Sequence, residues 1–162
     1  AAKTAQRFMH YLELSYQVIL LPPWEKNPLK RLVKSPKIHY LDPGIQQTIL
    51  RKKGGMTGHE CESAVIAEMY KQAKVAQLGG QFYHLRTVDG KEVDLLIETD
   101  AGFFAFEIKM SQHVNKSDAR HLRGLELILD KPVIHSFVIS NDPQIHELEE
   151  GVTAIPAALF LS

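Results

Sequence analysis

Three charged side chains stand at alternate positions of two neighbouring apolar runs in the middle of the chain. The first run, 92–98, carries Asp94, and the second, 103–109, carries Glu107 and Lys109. Because successive side chains of a β-strand point to opposite faces, these three residues are predicted to share one face, opposite the apolar residues. Two carboxylates on one face require a proton, an ammonium group or a divalent cation to offset their repulsion.

An expected hairpin sets the register of the two runs. If residues 99–102 form a four-residue loop, Glu98 pairs with Phe103 and Asp94 pairs with Glu107. A slip by one residue would move a whole apolar set to the other face, so only this parity pairs apolar with apolar residues. Like charges directly opposite each other, with β-carbons roughly 5 Å apart, destabilise the strand pairing unless something intervenes. The same register pairs Ile97 with Phe104, Leu95 with Phe106 and Val93 with Ile108.

The two facing acids form a candidate site for Mg²⁺. This cation is hard, prefers oxygen ligands and is commonly held by one or two carboxylates together with water. A metal held there activates water and stabilises a phosphate, with Lys109 beside it as a positive charge. The competing interpretation is that Lys91 and Lys109 only neutralise a solvated face of the sheet. The two strands alone do not distinguish between these interpretations.

A third acid is expected on a helix that precedes the strands. Thr57 and Glu60 have the spacing of a capping box, which predicts a helix from residue 57 to about residue 76. At about 100° per residue, Glu62 lies at the centre of an apolar stripe, whereas Glu60 points away from it and acts as the cap. A carboxylate on a core-facing stripe needs a partner, unless the helix end lets it reach water. The stripe consists of Val65, Ile66, Met69 and Ala73.

This ordered set, a Glu on a helix followed by an Asp and a Glu-x-Lys on successive strands, resembles the PD-(D/E)xK nuclease superfamily. The chain more closely resembles the C-terminal domain, of unknown function, of a group of bacterial and archaeal AAA-type ATPases. In such proteins an ATPase module comes first, a winged-helix segment follows and the nuclease-like domain ends the chain. Three segments carry the closer resemblance: KRLVKSPKIHYLDPG (30–44), GKEVD (90–94) and FEIK (106–109).

The resemblance implies a fold and a set of site residues. The fold is α/β (α+β), a restriction-endonuclease-like core with a mixed β-sheet flanked by helices in the order αβββαβ. The implied catalytic residues are Glu62, Asp94, Glu107 and Lys109. The implied ligands of Mg²⁺ or Mn²⁺ are Asp94, Glu107, the backbone carbonyl of Ile108, and Glu62, which binds directly or through water.

The chain departs from these relatives in two respects. Cys61 stands just before the helix Glu, where relatives commonly have an apolar or aromatic residue. The sequence also contains no Gly-x-x-x-x-Gly-Lys-Ser/Thr phosphate loop. The ATPase module is therefore expected to be missing from this chain, which would be a C-terminal fragment.

Periodicity and turn signals predict two regions. Residues 1–41 are expected to form a partial winged-helix-like segment, with a plain helix and hairpin packed on the core as the alternative. Its elements are a helix capped by Thr4 and ending near Leu14, a strand 16–21 that stops at Pro22, a wing 24–35 and a strand 37–41. Residues 42–162 are expected to form the nuclease-like domain. Its elements are the helix 57–76, strands 81–86, 92–98 and 103–109, a helix 118–129 capped by Ser117, a strand 133–140, a short strand near Val152 and a helical turn after Pro156.

Global properties indicate a small cytoplasmic domain. With 162 residues, 44% of them hydrophobic, the chain can bury one core and a small appendage. One cysteine excludes an internal disulfide framework and a Cys-rich zinc site. There is no long apolar run and no signal-peptide pattern, so no membrane segment is expected. A net charge of zero argues against strong nonspecific binding of polyanions.

Basic residues nevertheless cluster where they could contact the phosphates of DNA and make binding salt-dependent. The clusters are Lys26, Lys30, Arg31, Lys34 and Lys37 in the wing, Arg51, Lys52 and Lys53 before the acidic helix, and Arg120 with Arg123 on the later helix. The alternative is that they form ordinary solvated loops and helix faces. The eight histidines lack the spacing of a metal-binding helix, and only His113 lies close to Lys109. Trp24 is predicted to be a packing anchor.

Two classes of function follow from this sequence. The first is a Mg²⁺-dependent phosphodiesterase acting on DNA, in which Lys109 positions the attacking water or stabilises the pentacovalent phosphate. The second is a noncatalytic nuclease-fold module that binds DNA or a protein, or self-associates, for an ATPase. Three acids and a lysine held together favour the first class. Nucleases that cut both strands often pair, so a homodimer is an expected state.

Overall fold

A six-stranded mixed sheet and a separate two-stranded sheet organise the chain. The computed structural model describes residues 2–26, 35–49, 51 and 54–162. The helices are α1 (Ala2–Leu14), α2 (Pro43–Ile49), α3 (Gly58–Val75) and α4 (Ala157–Phe160). The strands are β1 (Val18–Leu21), β2 (Lys37–Tyr40), β3 (Gln81–Arg86), β4 (Glu92–Glu98), β5 (Phe103–Ile108), β6 (Val133–Ser140), β7 (His146–Glu149) and β8 (Val152–Pro156). The sequence did not predict α2 or β7.

The large sheet has the strand order β3-β4-β5-β6-β8-β7. Its first three strands are antiparallel to each other, β6 runs parallel to β5, and β8 runs parallel to β6. Strand β7 closes the far edge by pairing antiparallel with β8. This arrangement confirms the predicted mixed α/β architecture at the level of a mixed sheet flanked by helices.

The hairpin between β4 and β5 has the predicted loop and, from Glu98 to Leu95, the predicted register. Glu98 pairs with Phe103, and the ladder continues to Leu95 opposite Phe106. The backbone N–H of Thr99 donates to the carbonyl of Gly102 at 2.8 Å and closes the four-residue loop. The loop requires glycine at 102, because a side chain there would collide with the backbone carbonyl of Pro132.

A β-bulge in β4 overturns one part of the predicted register. Val93 pairs with Leu85 and Leu96 pairs with Tyr83, so two residues of β4 lie opposite one residue of β3. A bulge of this kind re-aims side chains and reverses the alternation of faces. Val93 therefore packs in the same core cluster as Leu96, away from Leu95 and from Ile108. The predicted pairings of Val93 with Ile108 and of Asp94 with Glu107 were wrong, because the observed ladder ends at Leu95 opposite Phe106.

Both faces of the sheet are covered by apolar clusters. Helix α3 packs on one face, where Ile66 and Met69 meet Leu95 and Phe106. The capping box predicted at its start is confirmed, because Thr57 caps the helix and the Glu60 side chain returns to the Thr57 backbone. The other face is covered by the segment between β5 and β6. That cluster contains Trp24, Leu96, Phe103, Ala119, Leu122, Leu125 and Leu129.

The predicted helix 118–129 is wrong. In its place are two short 3₁₀ turns, Arg120–Leu122 and Leu125–Leu127, separated by Gly124. Gly124 has φ of +66°, a left-handed conformation that ends a helical turn and that glycine adopts easily. Ser117 does not cap a helix, because its hydroxyl donates to the Asn115 side chain at 2.7 Å. The apolar residues whose spacing suggested a helix lie instead in and around two short turns, which pack on the sheet.

The N-terminal region forms a helix and a hairpin, and the hairpin contacts the large sheet. Strands β1 and β2 pair antiparallel, and Pro23 forms a bridge to His84 of β3. Trp24 is buried and packs edge-on against Phe103, with ring centroids 6.0 Å apart, so the prediction of a packing anchor is confirmed. Helix α1 already includes Thr4, so the predicted cap was wrong. Most of the predicted wing, with Lys30, Arg31 and Lys34, lies outside the described residues, as do Lys52 and Lys53.

Within the described ranges, no helix is both long enough and apolar enough to cross a membrane.

Candidate functional site

Asp94 lies at the bulge of β4, where its side chain reaches the neighbouring strand. Its Oδ2 atom accepts a hydrogen bond from the backbone N–H of Ile108 at 2.9 Å. Only 13% of the Asp94 side chain is exposed. The bulge thus places this carboxylate against the end of β5, beside the Glu-x-Lys segment, although the two acids do not form a pair in the ladder.

Glu107 and Lys109 form an ion pair at the end of β5. The Lys109 Nζ atom lies 2.6 Å from Oε1 of Glu107. Glu107 is buried, and among the described residues its second oxygen, Oε2, has no hydrogen-bond partner. Because buried carboxylate oxygens are normally paired, this atom is available to a further donor or cation. The sequence correctly predicted that these two charged residues lie together.

Glu62 lies in the first turns of α3, and its carboxylate is paired with an ammonium group, as expected for an acid that is mostly buried. Its Oε1 atom is 3.1 Å from the Nζ atom of Lys37, and its side chain is 13% exposed. The neighbouring Glu60 is also buried, but it is occupied by capping, since the Thr57 N–H donates to it at 2.6 Å. Glu62 is therefore the acid of this helix that faces the other charged groups.

Lys37 of β2 is the site residue that the sequence analysis missed. Its ammonium lies 2.8 Å from Glu92, 3.1 Å from Glu62 and 3.8 Å from Asp94. The sequence assigned Lys37 to a basic cluster in the wing. No local signal marked this role, because alternation puts Lys37 and His39 on the face of a short strand opposite Ile38 and Tyr40, and the apolar face is the one expected to point inward. The structure has the reverse arrangement, since His39 is completely buried and Ile38 is exposed.

His39 holds β2 against helix α3. It is completely buried, and its Nδ1 atom shares a hydrogen bond of 2.9 Å with the hydroxyl of Ser63. Ser63 follows Glu62 in α3, so this bond fixes the strand next to the turn that carries the acid. Burial lowers the pKa of His39 to about 4, and it is neutral at physiological pH.

The four carboxyl groups of the cluster share two ammonium groups. Burial, followed by the charges of Glu107 and Glu62, raises the pKa of Asp94 to about 7. Burial also raises the pKa of Glu107, and the hydrogen bond from Lys109 only partly opposes this effect. Burial alone would lower the pKa of Lys37, but its hydrogen bond to Glu92 and the nearby acids outweigh burial and raise it. We call Lys37, Glu62, Glu92, Asp94, Glu107 and Lys109 the acidic cluster.

The acidic cluster is suited to a hard cation, although its ligands are not fully assembled around one. Within the part of the chain that the structure describes, no three His, Cys, Asp or Glu side chains are arranged to hold a metal ion. Mg²⁺ is usually held by one or two carboxylates together with water, however. Asp94 and the Glu107 oxygen that has no partner among the described residues meet this requirement for one or two carboxylates.

Other residues singled out in the sequence lie away from the cluster or are engaged elsewhere. Arg123 forms an ion pair with Glu149 at 2.8 Å, and no helix face joins it to Arg120. His113 is exposed in the loop that follows β5. Cys61 is buried, and burial raises the pKa of its thiol, so it has the environment of an inert core residue.

Comparison with known proteins gives a family but no solved relative. Residues 1–54 match a domain of unknown function, DUF8612, and residues 57–160 match another, DUF4143. Over 169 aligned positions the chain is 26% identical to Uncharacterized protein Rv2008c of Mycobacterium tuberculosis and, equally, to Uncharacterized protein Mb2031c of Mycobacterium bovis. Each alignment covers 100% of this chain and 36% of the relative, so the chain spans about a third of their length. No solved structure matches. Since one match covers well over half of the residues, the chain belongs to the DUF4143 family of domains.

Proposed function

We propose that the acidic cluster is the active site of a Mg²⁺-dependent DNA phosphodiesterase of the PD-(D/E)xK type. One observation carries the proposal: Asp94 and the pair Glu107–Lys109 converge where β4 and β5 meet, with Glu62 linked to Asp94 through Lys37. These are the four residues that the sequence resemblance assigned to catalysis. Buried carboxyl groups with raised pKa values are costly for a fold and are typical of functional sites.

The topology is compatible with the superfamily core. Helix α3 is followed by the antiparallel strands β3, β4 and β5, and then by β6 parallel to β5. This is the expected order αβββαβ, except that two 3₁₀ turns replace the second helix. The departure affects the connection between β5 and β6 and leaves the strands that carry the acids unchanged.

The donor set fits Mg²⁺ or Mn²⁺. The proposed ligands are Asp94, Glu107, the carbonyl oxygen of Ile108, and Glu62, directly or through water. All are hard oxygen donors, and Glu107 Oε2 is buried without a partner among the described residues. When bound, such a cation supplies a Lewis acid that lowers the pKa of water and neutralises charge on a phosphate.

The chain's own residues have separate roles in this proposal. Lys109 keeps its ammonium next to Glu107 and positions the attacking water or stabilises negative charge on the phosphate. The Ile108 N–H orients the Asp94 carboxylate through a hydrogen bond of 2.9 Å. DNA is the proposed substrate, and an ATPase module in a longer protein and a second copy of the chain are the proposed partners.

A second candidate function has an observation in its favour. Lys37 already forms ion pairs with Glu62, Glu92 and Asp94, as expected if the cluster were only structural. The domain would then be a noncatalytic nuclease-fold module that binds DNA or a protein, or self-associates, for an ATPase. The Glu107 oxygen, which has no donor in the part of the chain that the structure describes, favours the catalytic proposal, since a purely structural cluster gains nothing from a buried acceptor without a donor.

The test is cleavage of plasmid, linear and branched DNA by the purified chain in Mg²⁺ or Mn²⁺. Asp94→Ala and Lys109→Ala should abolish cleavage, whereas Glu126→Gln, which removes an exposed acid outside the cluster, should leave it unchanged. Cleavage that requires the metal and disappears in both cluster variants supports the phosphodiesterase. Cleavage that survives both substitutions would indicate a contaminant. Either that result or no cleavage at all would favour the binding module.

A further inference from the structure

Lys37 reaches the acidic cluster from a part of the chain separate from the elements that carry the acids. It lies on β2, in the region that matches DUF8612, whereas the acids lie within the DUF4143 match. Its ammonium is 3.1 Å from Glu62 and 3.8 Å from Asp94. Two of the proposed metal ligands are thus already in contact with a positive charge that the chain itself supplies.

The backbone that carries Lys37 is fixed, whereas its side chain has a route outward. Lys37 pairs with Leu21 in the β1–β2 ladder, and His39, two residues on, is bonded to Ser63 of α3. The Lys37 side chain is 21% exposed, so it reaches solvent at the edge of the cluster. Four rotatable side-chain bonds let a lysine ammonium move several ångströms without any change in its strand.

A divalent cation and the Lys37 ammonium cannot both occupy the space between Glu62 and Asp94. They would compete for the same oxygens, and their like charges would repel each other at a separation of only a few ångströms. Lys109 differs in this respect, because it contacts one oxygen of Glu107 and the other oxygen has no partner among the described residues.

We propose that Lys37 is an internal competitor of the divalent cation and sets the metal affinity of the acidic cluster. The inference rests on the proposed function, because it takes Glu62 and Asp94 to be metal ligands. Metal binding then requires the Lys37 ammonium to leave these two acids, and the β1–β2 hairpin controls the occupancy of a site whose acids lie elsewhere in the chain.

The first test measures Mn²⁺ binding to the purified chain by electron paramagnetic resonance. Lys37→Met should bind Mn²⁺ about tenfold more tightly than the wild type, because a unit charge within about 4 Å of the ligands is removed. Lys37→Arg, which keeps the charge, should bind like the wild type. Lys91→Met is the matched control: it removes the same charge beside Glu92, from a lysine that contacts the carbonyl of Arg123. The Mn²⁺ affinity of Lys91→Met should differ from that of the wild type far less than the affinity of Lys37→Met does.

The outcomes separate this inference from the proposed function. Equal Mn²⁺ affinity of the wild type and Lys37→Met would overturn the competition and leave the metal site standing. An equal gain in Lys37→Met and Lys91→Met would also overturn it, since general electrostatics would then suffice. Failure of the wild type and Lys37→Met alike to bind Mn²⁺ would overturn the metal site and the inference with it.

A second test needs no variant and therefore does not depend on how well Lys37→Met folds. An amine-acylating reagent labels the wild-type chain in EDTA or in saturating Mn²⁺, and mass spectrometry quantifies labelling at Lys37. Lys131, paired with Glu98 at 2.9 Å, is the internal reference. Mn²⁺ should increase labelling of Lys37 several-fold relative to Lys131. Unchanged labelling of Lys37 at saturating Mn²⁺ would overturn the proposal.

Discussion

The two ends of β4 differ in how their carboxyl groups are paired with ammonium groups. At the loop end, Glu98 pairs with Lys131 at 2.9 Å, one acid with one base near solvent. At the other end, four carboxyl groups share two ammonium groups, and burial raises the pKa of Asp94 to about 7. The first arrangement is an ordinary surface ion pair. The second keeps excess acid in a poorly solvated place, which stability alone does not explain. This difference is the one expected if the acidic cluster binds a cation, as proposed above.

Acidification gives the largest expected effect and should act through the cluster end. Burial lowers the pKa of His39 and of His84 to about 4, so the unfolded chain takes up these protons first as the pH falls. The stabilising contribution of the neutral histidines is complete above about pH 6.5 and is lost as the pH falls towards 4. The carboxyl groups of Asp94 and Glu107 act in the opposite direction, because their raised pKa values let the folded chain take up these protons first. The effect of His39 is therefore read as a difference between the wild type and a variant without the imidazole, and we expect it to be on the order of 3 kcal/mol in the free energy of unfolding over this window, measured by urea denaturation.

His39→Asn is the matched variant for this measurement, since an amide can keep a hydrogen bond to Ser63 without titrating. Between pH 6.5 and 4 it should lose on the order of 3 kcal/mol less free energy of unfolding than the wild type loses. Glu98→Gln, at the loop end, should leave the dependence unchanged. If the free energy of unfolding depended on pH equally in the wild type and in His39→Asn, the buried histidine would not contribute to that dependence.

Removal of Lys109 should have the next largest effect. Lys109→Met leaves the buried Glu107 carboxyl without its ammonium partner, and the free energy of unfolding should fall by about 2 kcal/mol. Lys131→Met removes a lysine from a solvated pair and should cost much less. Urea denaturation of both variants at the same pH tests the contrast. Equal losses of unfolding free energy in Lys109→Met and Lys131→Met would contradict the contrast between the two ends of β4.

Asp94→Asn should have a smaller effect, of opposite sign. The amide oxygen can still accept the Ile108 N–H, while the burial of a charge next to two other acids is relieved. We expect an increase of about 1 kcal/mol in the free energy of unfolding at pH 8, where the wild-type carboxyl is ionised. Glu98→Gln should give no increase. A clear loss of stability in Asp94→Asn would mean that Asp94 serves mainly as a partner of Lys37.

Local patterns predicted the elements that carry the acids. The capping box of Thr57 and Glu60 marked the start of α3, and the alternation along 92–98 and 103–109 marked the hairpin and most of its register. These signals act between residues close in the sequence, so the sequence alone contains them. The roles of Glu62, Asp94, Glu107 and Lys109 stay predictions, as does the division of the chain after residue 41.

Long-range contacts determined what the sequence analysis missed. The bulge that separates Val93 from Leu95 depends on the pairing with β3, and alternation within β4 does not reveal it. Lys37 was assigned to a basic wing because its acidic partners are 25 or more residues away in the chain. Gly124 breaks the predicted helix 118–129, because it takes a left-handed conformation between the two 3₁₀ turns.

The central claim is that the acid-rich end of β4 binds a divalent cation, and calorimetric titration of Mn²⁺ into the purified chain tests it most directly. The wild type and Glu98→Gln should bind with the same affinity, and Asp94→Asn should lose binding by at least about tenfold, since it removes a carboxylate ligand. Wild-type protein that takes up no Mn²⁺, or Asp94→Asn that binds as the wild type does, would contradict the account.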